Sequence, residues 1–270
     1  MSSTSGISWF VGTYSGDVFS NLGGIPYDVH VTRKSTTTKE PGTGQRRLAS
    51  IDTSGVHYVI DFKLKIITLA DFISGKCFVT AEGTLPSLSL YVTDGITERG
   101  FTTAYVNTCS VDITHPGAIV ANVQVIAIAG EDKAAVTGAA DTGTVMTKSA
   151  LTTLSLGGTT ITKWIKVTFG VNNNVQVLST GTGAVCTEIW AGHAEYSGSI
   201  TLVKTAELSY GYSTVVTKDL IITLTDNQGS PVATTFTFDD VRASSNEHYV
   251  QELGLTYEGV TWEGDELAIT

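Results

Sequence analysis

The segment Tyr58–Ile66 reads YVIDFKLKI and indicates the fold class of the whole chain. Its large apolar side chains occupy every second position, and most of the positions between them are charged. A period of two predicts a β-strand with one face on a core and the other toward solvent or a neighbour. The same alternation recurs around Val29, Phe236 and Leu253, and turn signals such as Asp94–Gly95 separate the segments. We therefore predict a mainly β fold.

The composition excludes two broad classes of protein. The chain has 270 residues, of which 41% are hydrophobic and 16% are charged. An intrinsically disordered chain combines low hydrophobicity with high charge, so this chain should fold. Its formal net charge is −10, which argues against a basic face that binds nucleic acid by broad charge neutralisation. Because charges are few, we expect much of the surface to consist of Thr, Ser, Gly and Asn.

Cysteines and terminal signals say little about function. Cys77, Cys109 and Cys186 have no CxxC spacing, and we interpret them as small buried hydrophobic residues. The opening segment MSSTSGISWF has neither a basic start nor an apolar run, so we expect no signal peptide. The uncharged stretch Ile113–Gly130 contains polar residues that argue against a transmembrane span. We expect a soluble protein that is made in a cytoplasm.

The sequence also contains an internal repeat. Val29–Thr32 matches Ile165–Thr168 at an offset of 165 − 29 = 136 residues. Three further short matches follow in the same order at offsets of about 132 or 133 residues. Matches in one order with a nearly constant offset predict a tandem duplication. We therefore predict two β-sandwich or β-barrel domains, residues 1–131 and 149–270, joined by a linker over 132–148.

Each predicted copy contains at most one short helix, near Ala70–Ser74 in the first and Lys204–Ser209 in the second. A long polar loop follows the first strand of each copy, over Arg33–Ser50 and Gly170–Gly183. Loops of this length in a compact domain are often functional. The second loop has no charge, whereas the first has five basic residues that we predict to contact an acidic surface on a neighbouring subunit: Arg33, Lys34, Lys39, Arg46 and Arg47.

Motifs for catalysis are incomplete. His193–Glu195 has the H-x-E spacing of zinc deaminases, but their PCxxC partner motif is missing. The five histidines show no metal-ligand spacing, and the adjacent Asp239 and Asp240 should point to opposite faces of a strand. We therefore predict no enzyme, no catalytic residue, no cofactor and no metal. We interpret the tryptophans as core or interface anchors: Trp9, Trp164, Trp190 and Trp262.

The order of segments resembles that of a known family, the tail tube proteins of long-tailed phages and tailed archaeal viruses. Copy two carries the resemblance in Leu151–Gly158, in the strand Trp164–Phe169, in the uncharged loop and in Ile189–Ser199. The closing segment Phe236–Trp262 also fits. The resemblance covers most of the chain and concerns its architecture. It implies two tandem tail-tube-like β-domains.

The resemblance also implies a function. Single-domain members form hexameric rings whose strands join into a barrel around a DNA channel, so two domains per chain imply stacked trimeric rings with pseudo-sixfold symmetry. The implied partners are further copies of the chain, together with tape-measure, tail-terminator and baseplate proteins. Viral DNA would pass without specific binding, and the protein would lie in the virion tail after assembly in the host cytoplasm. We add the hypothesis that some of the excess acidic residues face the channel.

Three alternatives fit the same composition. A capsid decoration protein or another virion structural protein would also be rich in strands and poor in charge. A two-domain immunoglobulin-like adhesion module is a second alternative, although such a module normally has a secretion signal. An enzyme on a jelly-roll scaffold is the third, and the absence of a recognisable site disfavours it.

Overall fold

Strands dominate the residues that the structure describes, which confirms the predicted mainly β fold. The computed structural model describes residues 10–16, 18–41, 48–69, 72–79, 84–94, 97–114, 116–134, 143–178, 186–203, 218–226, 228–250 and 256–270. The strands in chain order are β1 (Phe10–Ser15), β2 (Val18–Asn21), β3 (Gly24–Pro41), β4 (Leu48–Ile66), β5 (Leu88–Thr93), β6 (Glu98–Thr114), β7 (Val120–Asp132), β8 (Leu151–Leu156), β9 (Thr159–Thr160), β10 (Trp164–Asn172), β11 (Gln176–Leu178), β12 (Glu188–Trp190), β13 (Glu195–Val203), β14 (Lys218–Thr225), β15 (Ala233–Val250), β16 (Thr256–Gly264) and β17 (Glu266–Ile269).

One curled antiparallel sheet of 15 strands forms a half-barrel, and β11 and β12 pair separately. Strands β3, β4, β7, β6 and β5 are neighbours in this order. Strands β10, β13, β16, β15 and β14 are neighbours in the same order. A hairpin lies at the far side of each group, since β1–β2 pairs with β5 and β8–β9 pairs with β14. The strand order of the first group thus occurs again in the second.

Among the described strands, one pair, β6 with β10, joins the two groups. The C-terminal half of β6 pairs with β10 from Thr108 opposite Asn172 to Thr114 opposite Lys166. The N-terminal half of β6 pairs with β5, while its other edge pairs with β7. The sheet therefore runs without a break from residues of the first predicted domain, 1–131, into those of the second, 149–270. Division of the chain into two domains stays a prediction.

The C-terminal end of the predicted linker, 132–148, is attached to the first strand group. Met146 is buried, its N–H donates to the carbonyl of Ile66 at 2.7 Å, and its carbonyl accepts from the N–H of Ile119 at 2.8 Å. Strand β7 reaches Asp132, and residues 135–142 lie outside the described part of the chain. A 3₁₀ turn over Lys148–Ala150 then leads into β8.

The prediction of two long loops is wrong in large part, because strands extend into both segments. Strand β3 continues to Pro41 and β4 begins at Leu48, so Arg33–Ser50 belongs mostly to a hairpin. In Gly170–Gly183, β10 continues to Asn172 and β11 follows, whereas residues 179–185 lie outside the described residues. The distal part of the β3–β4 hairpin pairs with no third strand among the described residues. Such a ribbon needs no apolar face, so hydrophobic alternation could not reveal it.

The predicted first helix is displaced. One turn of π-helix covers Ile73–Cys77, three residues later than the predicted start at Ala70. Residues 70 and 71 and the predicted second helix at Lys204–Ser209 lie outside the described residues.

One hydrophobic core extends under both strand groups. At its centre, the ring of Phe169 in β10 lies 5.6 Å from that of Phe78 and 5.1 Å from that of Phe236. Phe238 extends the aromatic cluster to Trp262, with ring centroids 4.9 Å apart. Because Phe78 precedes β5 and Phe236 lies in β15, Phe169 connects the apolar faces of both groups.

We expect replacement of Phe169 by Ala to lower the free energy of unfolding by about 3–5 kcal/mol, because it removes a buried ring and leaves a cavity. Phe169→Leu is the matched control and should have a smaller effect, since it keeps most of the apolar volume. Urea denaturation followed by tryptophan fluorescence measures both variants. A loss below about 1 kcal/mol for Phe169→Ala would contradict this shared core.

Candidate functional site

The residues predicted to contact a neighbouring subunit belong to the β3–β4 hairpin rather than to a loop. Arg33 and Lys34 are exposed on β3, and Lys39 lies farther along the same strand. Arg46 and Arg47 lie outside the described residues. The hairpin brings Arg33 and Lys34 to a strand edge, and the contact role of all five residues stays a prediction.

Polar side chains form a first ladder across three strands of the first group. The carboxylate of Asp61 in β4 accepts a hydrogen bond from Nε2 of Gln124 in β7 at 2.8 Å. Oε1 of Gln124 accepts in turn from Nδ2 of Asn107 in β6 at 2.7 Å. Asp61, Gln124 and Asn107, which we call the first polar ladder, thus satisfy one another's polar atoms. These hydrogen bonds fix the orientation of the three side chains on one face of the sheet.

A second ladder crosses the junction between the groups. The carboxylate of Asp112 in β6 accepts from Nδ2 of Asn122 in β7 at 2.9 Å and from Oγ1 of Thr168 in β10 at 2.8 Å. Nζ of Lys166, also in β10, lies 3.8 Å from the same carboxylate. Side-chain contacts therefore reinforce the backbone pairing of β6 with β10.

An ion pair lies beside the ladders on β3 and β4. Asp28 occupies a bulge with a φ of 54°, a conformation that Asp adopts more readily than most residues. Its carboxylate accepts from Nζ of Lys63 at 2.7 Å and lies 3.2 Å from Nε2 of His30. The hydrogen bond from Lys63, followed by that from His30, lowers the pKa of the Asp28 carboxyl. The same bond raises the pKa of Lys63.

Some of these polar groups line a cavity of about 330 Å³ that is open to solvent. Its wall includes Asp28, Asp61, Asn122, Gln124 and Asn172, from both strand groups. Among the described residues, no cluster of three or more His, Cys, Asp or Glu could hold a metal ion. The cavity wall offers amides and carboxylates that already have hydrogen-bond partners within the chain.

The H-x-E motif lies at the surface, ahead of and at the start of β13. The side chain of His193 is exposed, and its carbonyl accepts from Nδ2 of Asn174 at 2.8 Å. Glu195 is exposed as well, and its carboxylate lies 3.4 Å from Nδ2 of Asn172. The motif therefore links the end of β10 and the segment that follows it to the start of β13, through the His193 carbonyl and the Glu195 carboxylate.

The predicted burial of cysteines is confirmed, since Cys77, Cys109 and Cys186 are buried free thiols. Burial is the main reason that the pKa of the Cys77 thiol is raised, and a hydrogen bond with Cys109 raises it further.

The four tryptophans, predicted to be core or interface anchors, differ in their environment. Trp262 is buried, Trp164 is partly buried, Trp190 is 61% exposed, and Trp9 lies outside the described residues.

Two strand edges form the feature that sequence reasoning missed. In the part of the chain that the structure describes, β3 pairs only with β4, so its other edge has no partner strand. Residues 242–250 of β15 pair with β16 on one side, and no described strand lies on the other. Exposed Lys34 lies on the first edge and exposed Glu247 on the second. An edge is a property of topology, so no local sequence pattern could have identified it.

Comparison with protein-family models gives no match, and no curated protein matches the chain. No helix among the described residues is long and apolar enough to span a membrane.

Replacement of Lys63 by Gln should raise the pKa of the Asp28 carboxyl toward its ordinary value of 3.8, because the charged hydrogen bond is lost. A lowered folded-state pKa means that the pair stabilises the fold above the unfolded-state pKa. This contribution is lost as the pH falls through the folded-state pKa. Titration of the Asp28 carboxyl by carbon NMR measures the change.

Lys65→Gln is the matched control, since Nζ of Lys65 lies over the ring of Tyr27, 5.4 Å from its centroid, on the same strand. It removes one positive charge from β4 but leaves the Asp28 hydrogen bond in place. Equal pKa shifts in both variants, or none in Lys63→Gln, would show that this ion pair does not hold the Asp28 carboxylate.

Proposed function

We propose that this chain is the major structural protein of a viral tail tube, in which copies assemble into stacked rings around a DNA-conducting channel. The observation that carries the proposal is the β6–β10 junction, where one strand group adds to the next through a continuous sheet. The same addition, repeated from copy to copy around a curled sheet, leads to a closed wall. Three chains with two strand groups each would give a pseudo-sixfold ring.

Sheet edges provide a physical reason for closure. An open edge exposes N–H and C=O groups that can pair with other chains, and closing the sheet removes both edges. A chain in which only 16% of residues are charged also suits extensive subunit contacts, because interface cores are depleted of charge. In this proposal, the surface rich in Thr and Gly is covered by neighbouring copies.

The polar ladders are assigned to the channel wall. Asp28, Asp61 and Asp112 place carboxylates on that face, and negative charge there would keep phosphates from binding. Lys63 and Lys166 neutralise part of this charge. The wall is therefore polar and weakly charged, which suits a surface that DNA passes without specific binding.

The remaining partners follow from this position in the particle. A tape-measure protein would occupy the channel before DNA does, and terminator and baseplate proteins would bind the two ends of the tube. The distal part of the β3–β4 hairpin, with Lys39 and the following Arg46 and Arg47, would contact acidic groups of an adjacent ring. The site of action would be the virion tail, after assembly in the host cytoplasm.

Negative-stain electron microscopy of the purified protein tests the proposal. We expect rings or hollow tubes of a single diameter, because each copy adds to the next with one geometry. Mass photometry of dissociated rings should give three times the chain mass of 28.5 kDa. Monodisperse monomers at concentrations high enough for assembly would contradict the proposal.

A further inference from the structure

We infer that the free edge of β3 pairs with residues 245–250 of β15 in the next copy of the chain, antiparallel and in the register of the β6–β10 junction. The inference rests on the proposed function only in taking the neighbouring subunit to be a second copy. It identifies which two surfaces meet and which residues face each other.

The strand order establishes which strands correspond. Strand β3 begins the first group as β10 begins the second, and β6 has the same place as β15. Strand β10 is paired on both sides, with β13 and with β6, whereas β3 is paired with β4 alone among the described strands. The chain therefore contains one completed junction and the two unpaired halves of an equivalent one.

Burial differs between the completed junction and the free edges. Residues 170–172 of β10 are buried or half-buried, whereas the equivalent residues of β3, 32–34 in the register derived below, are all exposed. Residues 105–108 of β6, which lead into the junction, are buried or half-buried, whereas the equivalent residues of β15, 242–245, are all exposed. The same strand positions are thus covered where a neighbour is present and exposed where none is described.

Two irregularities fix the alignment of β6 with β15. Thr103 and Asp240 both have a φ of 51°, and each lies where its strand changes register against β5 or β14. When Thr103 is aligned with Asp240, a second pair of register shifts, those against β7 and β16, is aligned as well. The register shift of β6 against β7 falls between Val106 and Thr108, and that of β15 against β16 falls between Ala243 and Ser245. Both coincidences give the same alignment, which equates Ser110 with Glu247.

The alignment of β3 with β10 follows from the pairings across the sheet. Thr108 pairs with Gln124, Gln124 with Asp61, and Asp61 with His30. In the second group, Ser245 is the equivalent of Thr108. Ser245 pairs with Thr261, Thr261 with Ser199, and Ser199 with Thr168. His30 therefore occupies the place of Thr168, and Thr32 the place of Gly170. This register lies two residues from the sequence match of Val29–Thr32 with Ile165–Thr168, and it keeps the same face inward.

The junction register then predicts the contact between copies. Gly170 pairs with Ser110 inside the chain, so Thr32 of one copy faces Glu247 of the next. Lys34 lies two residues beyond Thr32 and therefore on the same face as Glu247, as its diagonal neighbour. Both side chains are exposed in the single chain and are long enough to meet. Opposite charges at this position favour pairing of β3 with β15 over pairing of two β3 edges, which would bring like charges together.

Disulfide cross-linking tests this register. The variants Thr32→Cys and Glu247→Cys are purified separately, mixed under assembly conditions and oxidised with copper phenanthroline in air. Directly opposed residues on paired strands have Cα atoms within the 4.4–6.8 Å range of disulfides, at about 4.5–5.5 Å. We expect a covalent dimer on a non-reducing gel in the mixture and none with either variant alone. The native cysteines are buried and should contribute little background.

The matched control is Thr32→Cys mixed with Ala243→Cys. Ala243 is exposed on the same edge but lies four residues from Glu247, or about 13 Å along the strand, out of disulfide range. Equal cross-linking in both mixtures, or none in samples that contain rings, would overturn the inference while leaving the proposed function standing. Neither rings nor cross-links would overturn both. Cross-links in open filaments without rings would support the strand contact and contradict the proposed tube.

Discussion

The pairing of β6 with β10 is the interaction on which the rest of the structure depends. It turns two groups of five strands into one sheet, and it places Phe169 of β10 where its ring meets Phe78 and Phe236. The ladder through Asp112 crosses the same junction. Backbone pairing, aromatic packing and side-chain hydrogen bonds therefore stabilise one boundary, and its geometry can be repeated because each group presents the same kinds of strand.

The sequence contained enough information for the fold class and for much of the core. Alternation in Tyr58–Ile66 predicted the burial of Ile60, Phe62 and Leu64, because a half-buried strand must alternate. It did not reveal that Arg33–Ser50 is mainly hairpin, since a two-stranded ribbon needs no apolar face and therefore no hydrophobic alternation. The junction and the free edges were also hidden, because they depend on which strands become neighbours. Of the predicted contact residues, Arg33 and Lys34 lie on a free edge, where no sequence pattern had placed them.

The low charge of the chain now has a more specific interpretation. Some of its charged side chains lie in the ladders, as Asp112 and Lys166 do, and others lie at strand edges, as Lys34 and Glu247 do. Asp112 has the cation of Lys166 nearby within the chain, whereas Lys34 and Glu247 are exposed at edges that a neighbour could cover. A protein that assembles by sheet extension needs few charges, because backbone hydrogen bonds supply the contact and charges only select the partner.

The most direct test of the central claim is a cryo-electron microscopy map of the assembled particle at a resolution that separates strands. The account predicts that each chain contributes two equivalent junctions, one between its own β6 and β10 and one between its β15 and β3 of the next chain. The sheet should then continue around the particle without a break. A map in which neighbouring chains meet through side chains alone, with both edges still open, would contradict the account.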